Sequence, residues 1–573
     1  MSQNTDDLER LRKRIRCAKG EIPSDIVLKN GIIANVFVGE FQEADIAIYD
    51  GIVVGIGQNY TGKEEVDIRG AYVLPGFIDA HMHIESSMLT PSRLSEAVIS
   101  HGTTCIVADP HEIANVMGRE GIRFMFEDAS NADVDFLFML SSCVPATHLD
   151  TSGAIINAED LSEFLEDPHV LGLAEMMNYP GVLNGDEEVL KKILLFQHRN
   201  IDGHCPGLSG KELQAYISAL IGSDHESIDP EEALEKIEKG MFLMIREGST
   251  AKNMEALLPI VNSKNFHRCC FVSDDLHPDD IQKRGHMDFI LKKAISLGLD
   301  PIKAVQMATI NPALHFNMKD RGAIAPGKRA DIVVVDNLNH LEVLHVYKDG
   351  KRIKGSGNNI SSKKFNNTIR IKEISKEKFK IFYREGGARV IEIVPEQIVN
   401  RAIILDPSHE DGGEVVSDTE RDILKICVIE RHKNTGNVGV GLVKGFGLQR
   451  GAIASSISHD SHNIIAVGVS DEDIYRAVVE IKEMGGGISI SCNNKIIAKI
   501  RLEIGGLMTD RSLLELLGDM EELNKAIKQI GSKIENPFMA LSFLALPVIP
   551  ELRITDKGLV DVNRFEIVPL FLS

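Results

Sequence analysis

Short apolar runs that end in polar or titratable residues, each followed by a helical stretch, recur through the middle of the chain. They are Phe77 to His83, Thr103 to Asp109, Val134 to Ser142, Val170 to Glu175, Asn200 to His204, Leu220 to Asp224, Met241 to Arg246 and Cys269 to Asp274. A short apolar run alone does not distinguish a buried strand from a helix. The repeated order of strand, polar end and helix does, and it predicts a parallel (β/α)8 barrel within an α/β protein. The stretch from Gly76 to Arg321 holds about 245 residues, close to the ~250 typical of such a barrel. Barrels place their chemistry at the C-terminal strand ends, where Asp109, Glu175, His204, His225 and Asp274 fall.

The pattern differs on both flanks. The first 20 residues read as a basic surface helix, Leu8 to Ile15 at its centre. From Asp25 to Ile68, short apolar strands are punctuated by Asn30-Gly31 and Asp50-Gly51, both hairpin signals. The same grammar returns at Ala330 to Asp336 and at Val346 to Lys351, with another turn at Asp349-Gly350. One composite β-sandwich built from residues 1–75 and 322–367 is therefore expected around the barrel of 76–321. A polar Gly/Asn/Ser stretch from Ser356 to Lys364 reads as a linker. Beyond it, 368–573 alternates strand and helix signals, among them a strand at Ile423 to Glu430 and a helix at Asp471 to Glu483. A third, α/β domain follows, with Gly485-Gly486-Gly487 as a helix stop.

Composition narrows the class. In 573 residues, 43% are hydrophobic and 26% charged, with a net charge of −21. That balance fits a cytoplasmic globular protein with a small neutral substrate, and disfavours nucleic acid or an anionic membrane as partner. No run approaches the ~20 apolar residues of a membrane span. The eight cysteines form no C-x-x-C pair, so reduced, buried thiols are expected rather than a zinc ribbon or disulfide frame. A homodimer is the default expectation for a cytosolic enzyme.

The candidate chemistry begins at Pro75-Gly76-Phe77-Ile78-Asp79-Ala80-His81-Met82-His83. On a strand, Asp79, His81 and His83 share a face, and two imidazoles one pleat apart can close on one cation. Glu175, His204, His225 and Asp274 fall at later strand ends, making an inventory that can hold two divalent cations. His81, His83 and Asp274 suit one, His204 and His225 the other, and Glu175 offers an oxygen to each. Water held between such ions is a strong nucleophile at neutral pH, and Asp274 is placed to accept its proton.

The strand-one sequence resembles the signature of the amidohydrolase superfamily, metal-dependent hydrolases on a barrel with a split β-sandwich. Further blocks resemble the bacterial adenine deaminase family: His83-Ile84-Glu85-Ser86-Ser87-Met88, Asp109-Pro110-His111-Glu112-Ile113-Ala114-Asn115, Ser141-Ser142-Cys143-Val144-Pro145-Ala146, the stretch from Gly172 to Val182, Asp202-Gly203-His204-Cys205-Pro206-Gly207, Ile245-Arg246-Glu247-Gly248-Ser249 and Ser458-His459-Asp460-Ser461-His462-Asn463. The resemblance implies hydrolysis of adenine to hypoxanthine and ammonia in purine salvage, with Mn2+ or Fe2+. It also implies that Glu175 stands where many relatives carry a carbamylated lysine. Ser273 departs from the expected Thr, and the family pattern favours Asp274 over Asp275 as the eighth-strand ligand. The alternatives are another amidohydrolase acting on a different aminopurine or a cyclic amide, and a non-catalytic nucleobase-binding or assembly protein on a barrel scaffold, against which the six candidate ligands argue.

Attack at purine C6 places negative charge on N1, so a donor is needed there. Glu85 and Glu112 are the candidates, with loop capping as their competing role. Arg246 and Ser249 are candidates to orient the base, against strand-end ion pairing. The cluster His459, Asp460 and His462 either caps the barrel mouth or forms a separate metal or hydrogen-bonded site.

Overall fold

The computed structural model describes residues 2–249, 251–354, 367–394, 399–534 and 536–572. The expected linker from Ser356 to Lys364 lies outside them. A first helix, Ser2–Ala18, ends with Cys17 buried against Val27, Ala47 and Val54.

Strands from both flanks share one eight-stranded sheet. The junction is an antiparallel pair, Tyr72–Pro75 against Ile332–Val335, with Pro75 opposite Ile332. Asp50-Gly51 and Asp349-Gly350 close hairpins with both turn residues at positive φ, as their sequences predict. Asn30-Gly31 does not. The strand Ser24–Asn35 runs straight through it, with a register shift between Leu28 and Gly31 against Glu40–Tyr49. Asn30 adopts φ +59°, so the signal marks a bulge rather than a reversal.

Gly76 leads from this sheet into the barrel, where a Cβ would lie 2.2 Å from Thr104 Oγ1. A parallel arc runs through Asn200–Gly203, Val170–Met176, Asp135–Leu140, Thr103–Ala108, Phe77–His83 and Asp274–Asp275. A second arc comprises Ser223–Asp224, Phe242–Arg246 and Cys269–Val272. The eighth strand belongs to both, broken at Ser273. Across the other seam the Gly222 amide donates to Ile201 O at 2.9 Å and the Gly203 amide to Ser223 Oγ at 3.3 Å. The arrangement is a TIM-type barrel. Its sixth strand is two residues long, shorter than the apolar run from Leu220 suggests, because Leu220 takes φ +72° and ends the preceding turn.

The remaining chain forms an eight-stranded mixed sheet between two helices, Asp471–Met484 and Leu513–Gln529. Alternation sorts its strands: Ala452, Ala454, Ile464 and Ala466 pack with the first helix, whereas Ile453, Ile465, Val467, Ile488 and Ile490 pack with the second. The latter face continues without a break into barrel residues Met82, Ile84, Leu89, Ile106, Ile113 and Phe124. One apolar core thus joins this region to the first two barrel strands. Helix starts follow the sequence: Ser470 Oγ accepts from the Asp473 amide, and Ser512 with Glu515 forms a capping box. All eight cysteines are buried and unbridged. Among the described residues, no helix is long and apolar enough to cross a membrane.

Candidate active site

The first barrel strand supplies His81 and His83, both buried. Its pairing with the second strand shifts register between Asp79 and Met82, so it is not a regular ladder. All three polar residues nevertheless face the eighth strand. Asp79 accepts from the Ser273 amide at 3.1 Å and from Ser273 Oγ at 2.5 Å, while His81 and His83 approach Asp274. His286 Nε2 lies 3.2 Å from Asp79 Oδ2 and Thr103 Oγ1 is 2.7 Å from His286 Nδ1, fixing this base of the site.

The six residues expected at the strand ends converge. His83 Nε2 stands 3.2 Å from His81 Nε2, 3.1 Å from Asp274 Oδ1 and 3.3 Å from Glu175 Oε1. The other oxygen of Glu175 faces His204 Nδ1 at 2.6 Å and His225 Nε2 at 3.2 Å. His83 Nδ1 donates to the Asp109 carbonyl at 3.2 Å, leaving the Nε2 lone pair for the centre, as a metal-ligating imidazole requires. Three overlapping groups, His81/His83/Asp274, His81/Glu175/His225 and His83/Asp109/His111/Glu175, have ligand atoms close enough to hold a cation. Imidazole nitrogens with carboxylates suit first-row divalent metals.

The loops are pinned individually. Tyr216 Oη accepts from the His204 amide at 3.0 Å and donates to Met176 O at 2.8 Å. Asp224 accepts from the Cys205 amide at 3.0 Å and the Ser227 amide at 3.0 Å, so one carboxylate sets the loops that carry His204 and His225. Lys236 Nζ, 2.9 Å from Asp224, neutralises it in the interior. Asp274 takes φ +58°, uncommon for a residue with a side chain, and its Oδ2 receives Arg246 Nη1 at 2.5 Å.

Burial works against every charge here, and the neighbours decide the outcome. For Glu175, burial is outweighed by His204 and His225, which hold the carboxyl well below its usual range. For Asp274, Arg246 and the first-strand histidines overcome burial in the same way. Burial opposes the cationic form of His225, yet Glu175 and Asp274 raise it to about 9. A cavity this rich in mutually attracting acid and imidazole groups has the charge pattern of a cation site.

The remaining candidates are distributed around this centre. Glu85 Oε1 accepts from the Ile113 amide at 3.0 Å in the first turn of the helix His111–Met117, and its Oε2 is buried without a hydrogen bond. Glu112 is buried beside Ser86, and His459 Nδ1 lies 3.4 Å from its Oε1. Burial, then the charges of Glu85 and Asp275, push its carboxyl well above the usual range. Arg246 is ion-paired to Glu226 as well as Asp274, while Ser249 Oγ accepts from the His277 amide at 2.8 Å. Asp275 receives Ser86 Oγ at 2.5 Å. His459, Asp460 and His462 arrive from the C-terminal sheet, with Asp460 Oδ1 3.9 Å from His111 Nε2.

Two neighbours of the centre, His111 and Glu226, carry no sequence expectation as site groups. His111 Nδ1 lies 3.1 Å from Asp109 Oδ2 and 3.7 Å from Glu175 Oε1, and Glu226 Oε1 lies 3.5 Å from His225 Nε2. The Asp109-Pro110-His111 sequence after the second strand was the available signal. Glu226, one residue after His225, had none.

Residues 72–353 match the amidohydrolase family, and residues 397–566 match the adenine deaminase C-terminal domain. The chain is 48% identical to "Adenine deaminase 2" of Carboxydothermus hydrogenoformans over 98% of its own length and 100% of that protein's. It is 48% identical to an adenine deaminase of Desulfatibacillum aliphaticivorans, covering 97% of this chain and 99% of that one. An adenine deaminase of Methanothrix thermoacetophila is 46% identical, covering 98% of this chain and all 100% of its own. With both domains matched and full-length relatives at this identity, the chain belongs to the adenine deaminase family of amidohydrolases.

Proposed function

We infer that this protein hydrolyses adenine to hypoxanthine and ammonia, serving purine salvage. The observation that carries the hydrolytic reading is Glu175, whose two oxygens face separate histidines at the mouth of the barrel. The substrate follows from family membership. His81, His83, Glu175, His204, His225 and Asp274 would hold a pair of divalent cations, Mn2+ or Fe2+, which would supply acidified water at neutral pH.

The chain's own residues do the rest. Asp274 Oδ1 accepts a proton from the attacking water and passes it to the departing amino group, while Arg246 keeps that carboxylate ionised and aimed. Water adds to C6 as N1 takes a proton, C6–N6 then breaks as the amino group leaves as ammonia with the proton from Asp274, and the remaining hydroxyl proton returns to Glu112 as the carbonyl forms. Glu112, whose carboxyl burial pushes well above its usual range, donates to N1 as charge gathers there. Glu85 has one oxygen on the Ile113 amide and the other directed with Glu112 toward the purine. Ser249, on the loop that follows the strand ending at Arg246, orients the base.

On this reading 1–75 with 322–367 is a β-sandwich, 76–321 is the catalytic barrel, and 368–573 closes over the mouth. A closed mouth keeps bulk water from a small flat ring. The enzyme works in the cytoplasm as a homodimer, on adenine and water alone. Purified Mn2+-loaded protein should release ammonia and hypoxanthine in equal amounts from adenine. Turnover of another aminopurine or a cyclic amide in preference to adenine would overturn the substrate assignment.

A further inference from the structure

Six consecutive polar residues, Ser458 to Asn463, are all buried, each 5% exposed or less. Burying so much polar surface is costly unless it is hydrogen-bonded, and the backbone of this turn largely is. The His462 amide donates to Ser458 O at 2.7 Å, and Arg431 Nε donates to His462 O. Asn463 Nδ2 reaches across to Thr151 O at 2.8 Å, tying the turn to a loop of the barrel. Ser461 O is 2.6 Å from His432 Nε2. Side-chain functions are left over: Ser458 Oγ, Asp460 Oδ2 and His462 Nε2 are buried without a hydrogen bond. A turn used only as glue between domains would not keep an imidazole nitrogen in reserve.

Glu112, His459 and His462 form a compact trio that by distance alone could hold a cation. The protons argue otherwise. The Ser458 amide donates to His462 Nδ1 at 3.2 Å, so the neutral ring carries its own proton on Nε2. A nitrogen that bears a proton cannot ligate a metal, but it can donate. His462 Nε2 points at Glu112 Oε2 from 3.8 Å, with His459 Nδ1 3.4 Å from Oε1 of the same carboxyl. His462 itself takes φ +53°, and its side chain is fully buried. His459 is held by stacking on Phe543, with ring centroids 4.8 Å apart.

We propose that His462 is a positioning residue for the deamination: its Nε2–H, presented from the C-terminal domain 3.8 Å from Glu112 Oε2, closes to hydrogen-bond distance when substrate is bound and so fixes the carboxyl that serves purine N1. A donor on Oε2 leaves Oε1 as the oxygen turned to His459 and the site. The C-terminal domain then completes the catalytic apparatus rather than only covering it. This rests on the adenine-hydrolase reading and on the N1 role of Glu112.

The test compares two substitutions that each keep one of the ring's contacts. His462→Asn keeps an acceptor for the Ser458 amide and loses the distal donor; His462→Gln keeps a donor near the Nε2 position. Losing the donor that closes on a catalytic carboxyl in the substrate complex predicts that His462→Asn lowers kcat about 30-fold. KM, metal content and thermal unfolding should stay near those of the wild type, and His462→Gln should recover activity to within about 3-fold. In a Glu112→Gln background, His462→Asn should cost almost nothing more, because the residue it positions is already disabled. Equal activity of the two His462 variants, or a full additional loss on top of Glu112→Gln, would overturn the proposal. A third bound metal per chain that disappears in His462→Asn would do so as well. Wild-type protein that leaves adenine untouched would refute the functional reading instead, which separates the two failures.

Discussion

Glu175 Oε2 lies 2.6 Å from His204 Nδ1, although the two residues belong to neighbouring barrel strands 29 positions apart. The same carboxylate turns its other oxygen to His83, so it touches both halves of the candidate centre. Glu175→Gln keeps the shape but removes the charge. It should lower bound metal below one cation per chain and reduce kcat on the order of 10^3-fold, since metal-assisted charge stabilisation is worth several kcal/mol. Elemental analysis with steady-state turnover checks both. Normal metal content with normal kcat would remove Glu175 from the centre.

Arg246 offers a second test, because it is pinned between Glu226 and Asp274. Arg246→Met should leave two buried carboxylates, Glu226 and Asp274, without the guanidinium that bridges them. Breaking a buried ion pair from one side typically costs about 3–5 kcal/mol. Chemical denaturation of the metal-free protein should show a loss of that size, and Arg246→Lys should recover part of it. A variant as stable as the wild type would place those charges elsewhere.

Asp150 sits at the junction of barrel and C-terminal domain. Burial chiefly, with the charges of Asp460 and Asp556 adding to it against a hydrogen bond from Ser461, raises its carboxyl to about 7. The folded state therefore binds this proton more tightly than the unfolded chain. Its stabilising contribution is complete below the ordinary carboxylate range near pH 4 and is lost as pH rises through about 7. A carboxyl held this far above its ordinary range makes that loss on the order of a few kcal/mol. Asp150→Asn should flatten the fall in stability between pH 5 and 8 and unfold at higher temperature than the wild type at pH 8. An unchanged pH profile would show that the carboxyl is ionised throughout.

The apolar core that joins the C-terminal sheet to Met82, Ile84 and Ile113 bears on truncation. A chain stopped at residue 354 should expose that surface as one large patch, and such patches drive association. Gel filtration should find aggregate rather than monodisperse protein. A soluble, fully active fragment would mean that the barrel needs neither the core contact nor the turn at His462.

Much of this was legible in the amino acids, for identifiable reasons. Barrel strands are buried on both sides, so their apolar runs stand out, and the candidate ligands close those runs at His83, Glu175 and Asp274. Turn chemistry was readable where the φ requirement coincided with a reversal, at Asp50-Gly51. It misled at Asn30-Gly31, where the same backbone preference serves a bulge. The pairing of Glu112 with His459 was hidden because their separation in sequence, across two domains, carries no periodic signal. The competing capping role of Glu85 is visible in one oxygen, which accepts from the Ile113 amide. The ion pairing that competes with base orientation at Arg246 is likewise present in the structure.

The most direct test is to purify the protein from Mn2+-supplemented cells that lack their own adenine deaminase, count its metals and follow adenine with ammonia release. About two Mn2+ per chain, with hypoxanthine and ammonia appearing in step, is the predicted result for a centre bridged by Glu175. Metal-loaded, folded protein that leaves adenine unchanged would contradict the account at its centre.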